Sequence, residues 1–174
     1  EEEGRYVQLR HEWAAHLNAR FFLFFQAQGA LATLLSVPFL LACVDRRPAL
    51  GLFEVAGATL FVVALTGEAL ADRQLAAFKA APQNRGRTCR AGLWRYSRHP
   101  NYFFEWLVWV AYSVFAWPSP WGWISIYCPL LMLFFLFRVT GIPMTEEQAL
   151  KSRGDEYRDY QRTTSAFVPW FPTA

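Results

Sequence analysis

"WLVWVAYSVFAWPSPWGWISIYCPLLMLFFLF", residues 106–137, contains no charged side chain and is too long for a single membrane crossing. A helix of about 20 apolar residues is enough to cross the hydrocarbon layer, which is ~30 Å thick. The motif "WPSPWG" at 117–122 places two prolines around a serine in the middle of this run, and proline interrupts helices. The stretch therefore predicts two short antiparallel spans, about 101–117 and about 121–140, joined by a tight hairpin.

Two further apolar segments lie upstream. Residues 21–44 carry no charge, and another segment from about 49 to 70 is expected to continue as a helix past Asp72. Hydrophobic residues make up 54% of the chain and charged residues 18%, whereas soluble domains carry about 25% charged residues. The sequence predicts an all-α, polytopic membrane helical bundle of about four spans, forming one membrane-embedded domain over residues 1–174.

Shorter segments flank the spans. Residues 6–18 are expected to form a helix along the membrane surface. Near the other end, Thr145 with Gln148 has the pattern of a capping box and predicts the start of an amphipathic helix, which Gly154 is expected to interrupt. The chain begins with "EEEGRY" and no methionine. We therefore expect it to be the C-terminal part of a longer protein with additional upstream spans.

The distribution of positive charge predicts an orientation. If the four spans alternate, Arg46 and Arg47 lie on one side of the membrane, and the other fifteen of the 17 Lys and Arg residues lie on the opposite side. Positive residues accumulate in the cytoplasm. The loop that follows the second span and the C-terminus are thus expected to be cytoplasmic, with membrane lipid as a partner.

That loop is strongly basic. Between Lys79 and Phe104 the chain has six basic residues and no acid. The cluster is compatible with a purely topological role, since basic loops stay in the cytoplasm and attract anionic lipid. It is also compatible with a binding site for several phosphates, because arginine matches phosphate oxygens in a bidentate manner. The six residues are Lys79, Arg85, Arg87, Arg90, Arg95 and Arg98.

Polar side chains also occur where the spans meet this loop. Asn101 and Glu105 are four residues apart and share one helix face, and Glu68 and Asp72 repeat this spacing. A carboxylate beside hydrocarbon is costly unless it has a partner or a function. Glu105 is therefore either paired with a loop arginine or part of a binding site. His99 is compatible with donating to a phosphate or with a structural role at the helix entry.

The remaining titratable groups give weaker signals. Glu147 and Lys151 form an ordinary pair at helical spacing. The three cysteines, Cys43, Cys89 and Cys128, show no CxxC spacing, so neither a metal site nor a disulfide framework is predicted.

The motifs Gly92-Leu93-Trp94, Tyr96-Ser97 and Asn101-Tyr102, together with Glu105, resemble the C-terminal domain of the steroid 5α-reductase family. The resemblance is closest to that family's bacterial branch of unassigned function. Its superfamily also includes sterol reductases and isoprenylcysteine carboxyl methyltransferases. The resemblance implies a bacterial inner-membrane protein that binds NADPH at the cytoplasmic end of the bundle.

The resemblance also implies roles for individual residues. Asp72 matches an acid near the adenosine, and Lys79 and Arg87 match residues that contact phosphates. Tyr96, Asn101 and Glu105 match residues around the diphosphate and nicotinamide. The loop residues Arg90, Arg98 and His99 are expected to join this site. A tail segment that closes over the cofactor contributes Glu147, Arg153 and Tyr160.

Three functions remain open at this point. The first is NADPH-dependent reduction of a conjugated C=C bond in a hydrophobic, steroid-like enone. The second is methylation of a lipid-linked carboxylate by S-adenosylmethionine, since "RHPNY" at 98–102 and the paired Glu146-Glu147 also resemble the methyltransferases. The third is a membrane scaffold without catalysis. No catalytic acid can be assigned, and neither nucleic acid nor metal is an expected partner.

Overall fold

A computed structural model describes residues 9–11, 13–47, 49–139 and 141–173 of the chain. Every regular element in these ranges is helical, so the predicted all-α class is confirmed. Three helical stretches are long and apolar enough to cross a membrane: Ala14–Val44, Leu52–Ala80 and Gly122–Arg153. They correspond to three of the four predicted spans. The fourth predicted span forms a helix of 17 residues.

The chain divides into two compact units, residues 1–37 and 38–174. In the first, a short 3-10 helix, Ala14–His16, leads into α1, Leu17–Leu35. Of the helix predicted at 6–18, residues 6–8 and 12 lie outside the described residues. Residues 9–11 are helical, Trp13 lies in a turn, and the 3-10 helix and the start of α1 follow. Within α1, Phe21 stacks on Phe25 with ring centroids 5.9 Å apart. Helix α2, Val37–Val44, follows a break at Ser36 and carries the chain into the second unit.

The second unit is built on two antiparallel helices, α3 (Leu52–Ala80) and α4 (Pro100–Ala116). Two glycines of α3 allow their close approach. A Cβ at Gly57 would lie 2.7 Å from the backbone nitrogen of Phe115. A Cβ at Gly67 would lie 2.4 Å from the ring of Phe104. Since real Cβ atoms do not approach other atoms this closely, the backbone contact at Gly57 requires glycine, and a side chain at position 67 would displace the Phe104 ring.

Charged side chains hold the N-terminus of α3 in place. Glu54, although buried, accepts a hydrogen bond from the backbone nitrogen of Gly51 at 2.8 Å and forms an ion pair with Arg47. Arg47 also binds Asp45 at 2.6 Å. This network gives the N-terminus of α3 a hydrogen-bond acceptor. It also pairs Arg47, one of the two arginines predicted to lie on the same side of the membrane.

The predicted hairpin after α4 is present. Trp121 adopts a left-handed φ of 64°, and a 3-10 helix, Gly122–Ile126, leads into α5, Tyr127–Phe134. A π-helical turn, Phe135–Val139, follows. Ser113 of α4 donates to the carbonyl of Ser125 at 2.9 Å, which holds the hairpin together.

The C-terminal region contains α6 (Ile142–Arg153) and α7 (Asp155–Thr163), separated at Gly154 as predicted. The predicted capping box was wrong, because Gly141 rather than Thr145 occupies the N-cap position. Thr145 lies inside the first turn, where its hydroxyl donates to the carbonyl of Gly141 at 3.0 Å.

Candidate functional site: a cationic cavity at the end of α3

The loop between α3 and α4 is fixed onto α3 by side-chain hydrogen bonds. Trp94 Nε1 donates to the carbonyl of Ala71 at 2.9 Å, and the backbone nitrogen of Leu93 donates to Gln74 Oε1 at 2.9 Å. Gly92 has a φ of +60° and faces Gln74 so closely that a Cβ would lie 2.4 Å from its oxygen. The loop therefore folds back along the helix.

Helix α7 holds the same loop from the other side. The buried Tyr160 hydroxyl donates to the carbonyls of Trp94 and Ser97. Arg90 binds Asp159 at 2.9 Å and lies over the Tyr160 ring, 5.2 Å from its centroid. The aromatic side chain of Tyr160 and an ion pair thus join the loop to α7.

Glu146 organises the start of α4. Its Oε1 lies 2.8 Å from Arg98 Nε and 3.2 Å from Nε2 of the buried His99, and its Oε2 accepts a hydrogen bond from Gln161 at 2.8 Å. Arg98 also donates to the carbonyl of Gln161 at 2.6 Å. The carboxylate of Glu146 contacts all three side chains. It therefore neutralises the positive charge of Arg98.

These elements enclose a cavity of about 260 Å³, which we call the inner cavity. Its walls come from α3, the loop, α4, α6 and α7, and both polar and apolar side chains line it. Among the described residues that line it, none carries a carboxylate. They are Leu75, Lys79, Thr88, Cys89, Trp94, Arg98, His99, Asn101, Tyr102, Thr145, Arg153, Tyr157 and Tyr160.

A second cavity of about 300 Å³, the loop cavity, adjoins the first. Arg85, Gly86 and Arg87 line it, and its lining within the described part of the chain also contains no carboxylate. The two cavities share lining residues, so a ligand that fills both would pass between Lys79 and Arg153. The shared residues are Leu75, Lys79, Cys89 and Arg153.

Several cations at these cavities have no acidic partner. Lys79, Arg85, Arg87 and Arg153 form no ion pair within the described part of the chain. The Nε atom of Arg153 is buried and lacks a hydrogen bond, although the guanidinium lies 5.0 Å from the Tyr157 ring centroid. Buried polar groups normally have partners. These four positively charged side chains are therefore available to bind an anion.

Uncharged polar atoms at the inner cavity are also unpaired. Thr88 is only 6% exposed, and its Oγ1 has no hydrogen-bond partner within the protein. The Oδ1 of Asn101 is likewise buried without a partner. Both residues line the inner cavity, so both offer hydrogen bonds to a ligand there.

Two weakly acidic side chains of the inner cavity, Cys89 and Tyr157, stay neutral at physiological pH. Burial raises the pKa of the Cys89 thiol. Burial, reinforced by the nearby Glu146 carboxylate, raises the pKa of Tyr157 to about 12. Since neither group ionises near pH 7, neither opposes the positive charge of the cavities.

The acids of α3 and α4 form a separate cluster. Asn101 Nδ2 donates to Asp72 Oδ1 at 3.1 Å. Glu105 lies near both Asp72 and Glu68, close enough for their charges to interact. Of these four residues, only Asn101 lines the inner cavity, so the amide connects the acids to it.

The structure brings together many of the residues predicted for the site. Six predicted residues line the inner cavity: Lys79, Arg98, His99, Asn101, Arg153 and Tyr160. Arg87 lines the loop cavity.

The other five lie elsewhere. Asp72 and Glu105 belong to the acidic cluster, and Arg90 is paired with Asp159. The Tyr96 ring packs edge-on against Phe171, with centroids 5.9 Å apart. Glu147 is exposed and pairs with Lys151 at 2.6 Å.

Several lining residues were absent from the predicted set. Thr88 and Cys89 follow the arginines in an irregular loop, where no periodicity indicates which side chains point inward. Tyr102 and Thr145 share a hydrogen-bond contact of 3.2 Å across two helices. The adjacent acids Glu146 and Glu147 suggested a special position, but only the helix phase shows that Glu146 faces inward.

A different cavity lies between α2, α3 and α4. It measures about 380 Å³ and is almost entirely apolar, with Phe39, Phe61 and Phe115 among its walls. Tyr112 packs against Phe39 with ring centroids 4.5 Å apart. This cavity is suited to hydrocarbon and shares no lining residue with the inner cavity.

Comparison with known proteins gives a family without an assigned activity. No curated protein and no solved structure matches the chain. The sequence profile of one family matches residues 1–164. The chain therefore belongs to the family described as "Protein of unknown function (DUF1295)".

Proposed function

We propose that this protein is a membrane-embedded reductase that uses NADPH to reduce a conjugated C=C bond in a hydrophobic enone. The observation that carries the proposal is the pair of adjoining cavities lined by unpaired cations. Lys79 and Arg153 line both, and Arg85 and Arg87 line the loop cavity. A dinucleotide with an additional phosphate has the elongated shape and negative charge that complement this arrangement.

The residues present fit such a cofactor. Lys79 and Arg153 would hold the diphosphate where the cavities adjoin, and Arg85 with Arg87 would hold the 2′-phosphate. The unpaired Oδ1 of Asn101 would accept a hydrogen bond from a carboxamide, the group that a nicotinamide ring carries. The absence of carboxylates from both linings avoids repulsion of the phosphates.

When bound, NADPH supplies a hydride, and the protein supplies position and a water-poor environment. Tyr157 and Tyr160 are buried and close the cavity on the α7 side. Asn101 marks its membrane-facing end, where α3 and α4 enter their apolar segments. A hydrophobic substrate is expected to approach from that end, since the helices there are surrounded by lipid.

Binding by the purified protein in detergent tests this proposal directly. A ligand that binds only the folded state raises the thermal unfolding midpoint. We expect NADPH to raise it and S-adenosylmethionine to leave it unchanged. Arg153→Gln should weaken NADPH binding by about tenfold or more, since a charge-assisted hydrogen bond contributes about 1.5–3 kcal/mol. Arg158→Gln is the matched control, because Arg158 is exposed and pairs only with Asp155.

Cofactor choice provides a second readout. Arg87→Ala should weaken NADPH more than NADH, because only NADPH carries the 2′-phosphate. Equal losses for the two would refute that role for Arg87. Stabilisation by S-adenosylmethionine alone would favour the methyltransferase hypothesis over the reductase hypothesis. A thermal unfolding midpoint that neither ligand changes would favour the scaffold hypothesis.

A further inference from the structure

Residues 168–171 present a mainly aromatic surface that the described part of the chain leaves exposed. Val168, Trp170 and Phe171 are 54%, 70% and 75% exposed. We call these three residues the tail patch. Exposure of large apolar side chains such as tryptophan and phenylalanine to water is unfavourable compared with their burial.

The tail patch is held in a fixed place. The backbone nitrogen of Trp170 donates to the carbonyl of Tyr96 at 2.8 Å, and Ser97 Oγ donates to the carbonyl of Phe167 at 2.8 Å. The backbone nitrogen of Arg98 donates to the carbonyl of Ser165 at 2.8 Å. The exposed side chains are therefore presented by an ordered backbone.

The contacts of the loop set the depth of the tail patch relative to α3. Trp94, two residues before Tyr96, donates to the carbonyl of Ala71. Near this level the apolar sequence of α3 gives way to charged residues, namely Glu68, Asp72 and Arg73. A spanning helix makes this change where hydrocarbon gives way to lipid headgroups. With α3 crossing a bilayer in this register, the tail patch is expected at the level of the membrane interface, where tryptophan is favoured.

A free cation lies beside the tail patch. Arg95 is exposed and forms no ion pair within the described ranges of the chain. It lines a shallow groove of about 320 Å³ with Arg90, Thr163, Thr164 and Pro172, and Pro172 directly follows Phe171. An arginine beside interfacial aromatic side chains complements a phosphate headgroup.

We propose that the tail patch and Arg95 form a docking surface for the headgroup region of an anionic bilayer. Trp170 and Phe171 enter the interface, and Arg95 contacts lipid phosphate. This surface is distinct from the cofactor cavities, so the inference does not depend on the proposed reductase activity. Because the tail is bonded to Tyr96, Ser97 and Arg98, lipid contact also restrains the loop beside the inner cavity.

Fluorescence quenching by brominated lipid measures the depth of Trp170. The full protein is placed in bilayers brominated near the carboxyl end of the acyl chains, and the emission of Trp170→Phe is subtracted from that of the wild type. We expect the difference signal to fall by about half or more, with weaker quenching when the bromines lie near the methyl end. An unquenched difference signal in both bilayers would overturn the proposal and indicate that another protein or a second copy covers the tail patch.

Hydrogen exchange tests the charge component. Amides of residues 165–173 should exchange about fivefold more slowly in anionic than in zwitterionic bilayers, from the contribution of one arginine near the surface. Arg95→Gln should remove this difference. Arg162→Gln should keep it, because Arg162 is paired with Asp159 and does not line the groove. Equal exchange in both bilayers for the wild type would exclude Arg95 as a headgroup contact. Slowing by inorganic phosphate in zwitterionic bilayers to the same extent would identify free phosphate as its ligand instead.

Discussion

At the scale of single residues, two adjacent acids of α6 have opposite environments. Glu146 binds Arg98, His99 and Gln161 beside the inner cavity, whereas Glu147 is exposed and binds only Lys151. Buried charges are expensive unless they are paired and hydrogen-bonded. Glu146 therefore determines whether Arg98 and His99 keep their positions.

This difference gives a matched pair of variants. Glu146→Gln removes the charge that three side chains share, and should lower the free energy of unfolding by about 1–3 kcal/mol. Glu147→Gln should change it by less than about 0.5 kcal/mol, since exposed ion pairs contribute little. Thermal unfolding in detergent measures both. Similar losses for the two variants would contradict the role assigned to Glu146.

At the scale of elements, the uncharged runs and the "WPSPWG" turn were sufficient to predict the helical segments and the hairpin. Helix phase was harder to predict, because an apolar span has no polar face to indicate which side points inward. The contacts of Gly57 and Gly67 therefore became apparent only in the structure. Thr88 was missed for a related reason: its loop has irregular geometry, and its importance comes from burial.

The close packing of α3 and α4 predicts a strong position dependence for glycine substitutions. Gly57→Ala would place a Cβ 2.7 Å from the backbone of Phe115, which cannot move without separating the helices. We expect a loss of about 1–3 kcal/mol. Gly29→Ala is the control, because no atom lies within 4 Å of its Cβ position in α1. It should be neutral or stabilising by about 0.5–1 kcal/mol. An equal loss at both positions, measured by thermal unfolding, would argue against tight packing at Gly57.

At the scale of the whole molecule, the site depends on attachments far apart in sequence. The loop after α3 is bound by α7 through Arg90, Asp159 and Tyr160, and by the tail through Tyr96 and Ser97. The two adjoining cavities exist only while these attachments hold. Composition alone predicted the basic character of the loop, but the division of its arginines into structural and unpaired ones depends on the tertiary fold.

The attachment through Asp159 should make stability sensitive to acid. Its hydrogen bond with Arg90, followed by that with Arg162, holds the pKa of Asp159 below its usual range. A carboxyl with a lowered folded-state pKa stabilises the protein above the unfolded-state value of about 3.9, and the contribution is lost as pH falls through the folded-state value. Thermal midpoints measured from pH 7 to pH 3 should therefore fall more steeply for the wild type than for Asp159→Asn. Parallel curves would show that this pair does not hold the loop.

The contact between Gly92 and Gln74 has a consequence for how this sequence can change over time. A side chain at position 92 would displace the amide of Gln74, since a Cβ would lie 2.4 Å from its oxygen, and would disturb the hydrogen bond that this oxygen accepts from the backbone of Leu93. The positive φ adds a separate cost for any other residue. In descendants that retain this loop, glycine should therefore persist at position 92 wherever glutamine at position 74 still binds the backbone of residue 93.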